Sequence, residues 1–492
     1  MITVSGALVC VGLLIRLLPN WLAKGVLGVD HWYWKTYIES YRANKRFPPQ
    51  LPQYLLDQHQ WYPPVFPLIV AVLPDSFFDR FNHLIAIAID LCRMVFVLAA
   101  SFWITEGNAM AMVVAGLLYA TSPMLVSYNT QLNPRGLGAL LLDSALCLSL
   151  WAESAGGSLA IGGIIALLAG GILLTHKMTT QLFWFLCLSM GLILGDWRFL
   201  LLIPLSIGVA ILLSRGFYLD VLKAHWDIVT FWNRNWRWLQ AHPVKESPIY
   251  GEPGFETPTR FYRRGLPGIM RHLQYLVGFC PAAWIILAGA FVGGLQLSVA
   301  SYRFVALWGA LCLAFSLLTL SVPFMKCLGS GYFYLYNAAF PAALMGALIH
   351  RSLPDWEGVI WFAVVANLLA LGLYYRTVVR SKRPQPDGSF DHALEFLKAA
   401  PKGTVMCLPL QWSDVVAYKT EQAVLTGGHG YGFKLFEPLF PRLMMPIQEV
   451  IRKFDVRYLI TMEGYLTDRF HQELSPAKDN QFGPYHVYIT KA

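Results

Sequence analysis

The sequence predicts a polytopic α-helical membrane protein of roughly eleven transmembrane helices, followed by a small C-terminal soluble α/β domain. Three observations carry that reading. Hydrophobic residues fill 56% of the 492 positions and charged ones only 14%, where soluble domains run near one quarter charged. Apolar runs of about 17–25 residues recur along most of the chain, the length needed to cross a bilayer. After a polar, proline-bearing stretch at 381–388, short strand-like runs alternate with helix-like ones, the pattern of an α/β unit.

The spans fall near 3–22, 82–105, 109–127, 137–152, 159–175, 181–195, 199–214, 274–299, 303–322, 334–350 and 357–375. The first lacks a basic leading segment and a small-residue cleavage site, so it reads as a retained span. The apolar stretch 64–74, bounded by Pro63-Pro64 and Pro74, is too short to cross and is expected to lie in the interface or re-enter. The division is then 1–375 for the membrane domain and 376–492 for a separate soluble domain. Strands are expected at 404–408, 456–461 and 486–489, and helices at 390–399 and 437–454, giving a partly parallel sheet. Gly427-Gly428-His429-Gly430-Tyr431-Gly432 does not follow a strand and open a helix as a nucleotide loop does. It reads as a loop folding over the membrane domain.

Other classes are set aside by composition. The eight cysteines are scattered without a CxxC pair and sit mostly in apolar runs, as small core residues do. The net charge of +9 points to anionic partners, lipid headgroups or phosphorylated substrates, and no nucleic-acid motif accompanies it.

Loop lengths are one-sided. One membrane face receives only the tight links 106–108, 153–158, 196–198, 301–303 and 350–358. The other receives 23–81, 128–136, 176–180, 215–273, 323–333 and the tail. An enzyme working at one membrane surface has this form, whereas a channel needs vestibules on both. Lysines and arginines crowd the long-loop side, which the positive-inside rule would call cytoplasmic, but long loops cross largely regardless of charge.

The polar residues of that face are the candidates for chemistry. Asp30 follows the first span in Val29-Asp30-His31-Trp32-Tyr33-Trp34. It reads either as a general base for an acceptor at the bilayer surface or as a helix cap. The aromatics beside it form an interfacial belt or a platform for sugar rings. Asp57-Gln58-His59-Gln60-Trp61-Tyr62-Pro63-Pro64 supplies a second acid, Asp57, and His59 as a phosphate contact. Asp30, His31, Asp57 and His59 lack the i, i+4 spacing of a helical metal site, so no metal or other cofactor is expected.

Arg135 stands at a helix start, where a cation opposes the dipole and calls for an anionic partner. His176 and Lys177, at the end of a span, suit phosphate contact or snorkelling to headgroups. In the basic, Trp-rich 215–273 loop, Arg263 and Arg264 are adjacent guanidinium forks of the kind that bind phosphate. Lys326 and the neighbouring Tyr332, Tyr334 and Tyr336 are expected to line one cavity. Asp90 and Arg93, at i, i+3 inside the second span, are expected to neutralise each other.

Four features together resemble the GT-C superfamily of polytopic glycosyltransferases: the acid just after span one (Asp30), a long first loop ending in Trp61-Tyr62-Pro63-Pro64, many spans with the chemistry on one side, and a soluble tail on that side. The likeness extends to protein mannosyltransferases, aminoarabinose transferases and oligosaccharyltransferase catalytic subunits. It implies a polyprenyl-phosphate sugar donor, a lipid, glycan or protein acceptor, and an active face outside the cytoplasm in a cell-envelope membrane. Asp30 would deprotonate the acceptor with inversion at the anomeric carbon. Arg135, Lys177, Arg263 and Arg264 would hold the departing lipid phosphate. The acidic metal motif of the oligosaccharyltransferase type has no counterpart in 128–136, and its Trp-Trp-Asp signature is absent, which implies a metal-independent enzyme. Two readings of other classes stand beside this one, a polyprenol-lipid flippase or transporter and a scaffold for envelope-polymer assembly.

Overall fold

The computed structural model describes residues 2–490 except 24–26, 29, 57, 157, 239–243, 245–246, 251–265, 267–269, 271–272, 275, 277, 279, 293–299, 382–387, 428–434 and 436. Seven helices among the described residues are long and apolar enough to cross a membrane: Thr3–Ala23, Asp75–Ile104, Arg135–Ser154, Lys177–Leu194, Ala300–Ser321, Gly331–Ser352 and Pro354–Arg380. Three shorter apolar helices, Ala109–Ala120, Leu159–Leu173 and Trp197–Leu213, interleave with them. Only part of the expected span at 274–299 is described, as helix Ala283–Val292.

Local chemistry sets the boundaries. The expected span 109–127 is two helices, Ala109–Ala120 and Pro123–Tyr128, because Pro123 has no N–H and forces Ser122 into an extended conformation (φ −62°, ψ 115°). Asn108, Ser158 and Asp196 cap helix starts by accepting the N–H of Ala111, Ile161 and Arg198. Gly156 and Gly195 end helices in the left-handed conformation at φ +74° and +68°. The two helices that matter most begin earlier than their apolar runs. We label them α1 (Arg135–Ala155) and α2 (Lys177–Leu194), so Arg135 and Lys177 are each the first residue of a helix.

The charges inside the spans pair differently from the i, i+3 expectation. Arg16 on the first helix bonds Asp90, and Arg93 bonds Asp143 on α1, all four side chains being fully buried. Tyr119 donates its hydroxyl to Asp90 Oδ1 at 2.7 Å, and Arg16 Nη1 donates to the Ala120 carbonyl at 3.1 Å. Asp90 and Arg93 therefore face different neighbours. A fully buried ion needs a partner plus hydrogen bonds that replace its lost hydration, and two interhelical pairs supply both better than one pair within a turn.

The C-terminal sheet has the order β2-β1-β3-β5-β4, with β1 (Thr404–Cys407), β2 (Ala423–Val424), β3 (Val456–Met462), β4 (Lys478–Phe482) and β5 (Tyr485–Ile489). β1 runs parallel to β2 and β3, while β5 runs antiparallel to β3 and β4, so the sheet is mixed. Helices Ser389–Ala399, Ser413–Thr420, Ile447–Phe454 and Asp468–Leu474 complete this small domain.

This domain is joined to the first loop. Val424 donates to the Gln53 carbonyl at 2.7 Å, and Leu55 and Leu56 donate to Val424 and Leu425 at 2.9 and 3.0 Å, so loop residues cover the β2 edge. One apolar core runs from Tyr33, Trp34 and Phe66 in the first loop to Val405, Leu459 and Val487 in the sheet. A polar linker marks a sequence boundary here, not a packing boundary. The 65–71 stretch is a short helix whose Phe66 and Val70 enter that same core. Tyr33 and Trp34, at 0% and 1% exposure, are core residues, neither a lipid belt nor a sugar platform.

Candidate active site at the starts of three helices

The site is assembled by the loop 129–134 and three helix starts. Helix α3 in our labelling (Asp30–Asn44) opens on Asp30. Gly28, at φ +121°, lets the preceding turn lie against the loop: a Cβ there would stand 2.0 Å from Gln131 Oε1. The Asp30 N–H donates to Gln131 Oε1 at 3.1 Å, and Gln131 Nε2 faces Asp30 Oδ2 at 3.4 Å. One amide thus grips both backbone and carboxylate of Asp30. His31 sits one residue on, buried, its Nδ1 accepting from the Leu132 N–H at 3.5 Å. Burial, then Lys35 and His83, push His31 down to about 3, so it is a neutral clamp between helix and loop.

Arg135 heads α1. Asn133 Oδ1 accepts the Arg135 N–H at 3.0 Å. The guanidinium carbon lies 4.2 Å from the Tyr128 ring centre, 4.9 Å from Phe333 and 6.0 Å from Tyr336. Its Nε and Nη1 are buried and meet no hydrogen-bond acceptor among the described residues. Tyr332 joins this group through a hydrogen bond with Tyr128. Tyr336 donates to Asn129 Oδ1 at 3.0 Å and lies between Arg135 and Arg93.

Lys177 heads α2, with His176 as its cap. His176 Nδ1 accepts from the Thr179 N–H at 3.3 Å. Burial, with Arg135 and Lys177 beside it, holds His176 well below the usual histidine value, so it is neutral and its Nε2 carries the proton. Asp30 and Arg135 both act electrostatically on Lys177, on His176 and on the buried Tyr62, so these side chains are neighbours. His225, on helix Tyr218–Asn235, lies near Lys177 and is pushed down to about 3 by burial and by that cation. A carboxylate, two cations and a histidine N–H donor therefore converge at a membrane-helix boundary. Such a set can take a proton from one group and hold an anion beside it.

Asp30, Arg135, His176 and Lys177 are brought together as candidates, with Tyr332 at the edge of the Arg135 box. His31 serves the position of Asp30. His59 is exposed, its backbone bridging Gln50. Lys326 is buried with Nζ 4.5 Å from the Trp236 ring, on a 3-10 turn (Pro323–Leu328) against helix Tyr218–Asn235. Tyr334 turns away to Gln181 and the Leu328 carbonyl. Asp57, Arg263, Arg264 and residues 428–432 lie outside the described residues. Gln131 and the Tyr128–Phe333 box were not singled out by sequence, and Tyr62 only as part of Trp61-Tyr62-Pro63-Pro64; a polar amide or an aromatic carries no signal of its role until the fold gives it a neighbour. Among the described residues no three His, Cys, Asp or Glu side chains converge as metal ligands.

Neither a protein-family model nor a curated relative matches the chain in sequence. Solved structures do match in shape. The Archaeoglobus fulgidus oligosaccharyltransferase in its apo form superposes with a TM-score of 0.61 at 12% identity, over 94% of this chain and 69% of that one. ArnT from Cupriavidus metallidurans in the apo state gives 0.61 at 11% identity, over 98% and 97%. The same ArnT bound to undecaprenyl phosphate gives 0.60 at 10% identity, over 99% and 98%. The chain therefore shares the fold of these two proteins, the archaeal oligosaccharyltransferase and ArnT. In this chain an acid follows the first span, and the first loop pairs with the sheet near the chain's end.

Proposed function

We propose that this GT-C-type protein is an inverting membrane glycosyltransferase that uses a polyprenyl-phosphate-linked sugar, with Asp30 as general base. The observation that carries the reading is that Asp30, Arg135 and Lys177 each open a helix and, with His176, lie close enough to act on one another electrostatically. It is supported by structural neighbours whose complexes contain lipid phosphates, AglB with a dolichol-phosphate and ArnT with undecaprenyl phosphate.

In this reading the sugar's anomeric carbon sits between Asp30 and the cations. Asp30 takes the proton from the acceptor nucleophile as that atom attacks the anomeric carbon. The carbon–oxygen bond to phosphate breaks, and the leaving phosphate takes the electron pair. Arg135 and Lys177 neutralise the charge that develops on it, and His176 Nε2–H donates a hydrogen bond. Gln131 holds the carboxylate in place toward the acceptor. Asp57 is the second acid of this loop, and Arg263 and Arg264 are further phosphate contacts. His59, Lys326 and Tyr332 belong to the substrate surroundings. We take 1–375 as the catalytic membrane unit, 376–492 as the soluble unit, and the active face as extracytoplasmic. The acceptor is a lipid, a glycan or a protein.

The test is turnover. Purified protein reconstituted in lipid is incubated with a panel of polyprenyl-phosphate sugars, and release of free polyprenyl phosphate is followed by mass spectrometry. Release that depends on added acceptor supports the reading. No release from any donor in the presence of acceptor extracts removes it.

A further inference from the structure

At the far ends of the spans, a second polar constellation opens toward the membrane. Helix α1 runs 21 residues, so Glu153, near its end, stands about 27 Å from Arg135 at 1.5 Å per residue. Two adjoining cavities of about 370 and 570 Å³ meet there, and Glu153, Asp196 and Arg198 line both. Arg303 lines the first.

The charges at this mouth are of both signs. Arg198 and Asp196 hold each other through three hydrogen bonds at 2.7, 2.9 and 3.0 Å. Glu153 and Arg303 are exposed and have no ion-pair partner among the described residues. Two acids and two bases leave the mouth with no net charge, one carboxylate and one guanidinium being available to a ligand.

Below the mouth the second cavity is apolar. Its floor is Gly162 and Gly163 of helix Leu159–Leu173, where an added Cβ would meet nothing within 4 Å. Its wall carries Leu201 and Leu205 of helix Trp197–Leu213, exposed at 43% and 44%. A bare glycine floor beside exposed leucines leaves an apolar slot that opens onto opposite charges.

We propose that this groove binds a zwitterionic glycerophospholipid with a primary ammonium headgroup, at the membrane face opposite the Asp30 site. An acyl chain lies over Gly162 and Gly163. The lipid phosphate meets Arg303, and the ammonium donates to Glu153. A quaternary headgroup has no N–H to donate to that carboxylate. An anionic headgroup brings net charge to a neutral mouth and leaves Glu153 opposed to it.

The test uses the full chain reconstituted in nanodiscs holding equal parts of phosphatidylethanolamine, phosphatidylcholine and phosphatidylglycerol, with retained lipid read by native mass spectrometry. Phosphatidylethanolamine is expected to be enriched over both others. Glu153→Gln lowers that enrichment by up to about five-fold, the scale of one exposed charge pair. Arg303→Ala, which removes the partner of a phosphate common to all three lipids, lowers total retained lipid by a similar factor. Glu153→Lys shifts the preference toward phosphatidylglycerol. Gly163→Leu, at a position where an added Cβ meets no protein atom within 4 Å, extends a side chain into the slot and lowers total retained lipid. Retained lipid that mirrors the bulk mixture, enrichment of phosphatidylglycerol in the unaltered protein, enrichment unchanged in Glu153→Gln, or total retained lipid unchanged in Arg303→Ala and Gly163→Leu would overturn the proposal.

Discussion

Replacing Arg135 by methionine separates a ligand-holding arginine from a structural one. In the structure the guanidinium gains from the Tyr128 and Phe333 rings at 4.2 and 4.9 Å, together on the order of 1–2 kcal/mol, and from a hydrogen bond with Tyr128, about 1.5–3 kcal/mol. Against this stand Nε and Nη1, buried without an acceptor among the described residues; each such donor costs about 1–3 kcal/mol. A cation at a helix N-terminus adds a penalty of about 0.3–1 kcal/mol. The balance in the free protein is near even or unfavourable, and methionine keeps an unbranched stem against the same rings. Arg135→Met should therefore melt at the same temperature as the unaltered protein or higher. Polyprenyl phosphate should bind more weakly by about 2–5 kcal/mol, or roughly 30-fold to several thousand-fold in Kd. Arg135→Lys should fall between, since it keeps charge but loses the planar fork. Thermal melting in detergent and calorimetric titration with polyprenyl phosphate read the two quantities. A lower melting temperature with unchanged lipid-phosphate affinity would refute the reasoning and make Arg135 a packing residue.

Three other outcomes follow from the same geometry. His31 and His225 are each pushed down to about 3, against 6.5 when unfolded. Between those values the unfolded chain binds more protons, so stability falls as pH drops below 6.5, by about 2 kcal/mol per histidine at pH 5. Melting curves at pH 7 and pH 5 should show this, and His31→Gln should flatten the slope. Gly28→Ala places a methyl group against the Gln131 amide and should cut turnover by about a hundred-fold, the scale of a misplaced catalytic group; donor affinity measured by titration should stay within two- to three-fold of the unaltered protein, roughly the 0.5 kcal/mol expected when an independent contact is left intact. Asp143→Asn leaves Arg93 as a buried, unpaired charge and should destabilise the fold by about 3–5 kcal/mol, whereas Arg93→Met with Asp143→Leu should recover most of that loss in a melting assay.

The apolar spans and the strand–helix alternation of the tail were legible because they rest on periodicity and composition, which a chain displays locally. Arg135 was legible as a helix-start cation because an apolar run begins just after it; Lys177 read as the end of the preceding span, whereas it opens the next helix. The pairing of Asp90 was not, since its partner Arg16 lies 74 residues away and adjacency in sequence favoured Arg93. The same holds for Gln131, which meets Asp30 across 101 residues. The first loop's strand-like pairing with Val424 also escaped the sequence. Gln53 to Leu56 have no alternation of their own, and a few backbone hydrogen bonds to the sheet edge determine it. Tyr33 and Trp34 looked interfacial beside a span, but a long loop that buries its aromatics against a soluble domain has the same local sequence.

The central claim is that Asp30 removes the acceptor's proton while the neighbouring cations hold the lipid phosphate. Asp30→Asn keeps the side chain's shape and its contact with Gln131 but cannot accept that proton. Sugar transfer by the reconstituted Asp30→Asn variant, measured beside its affinity for the same polyprenyl-phosphate sugar, tests the claim most directly. The account predicts transfer lowered by about 10²–10⁴-fold, the scale of general-base catalysis, with the donor still bound. Transfer at the unaltered rate, from a variant that binds donor normally, would contradict it.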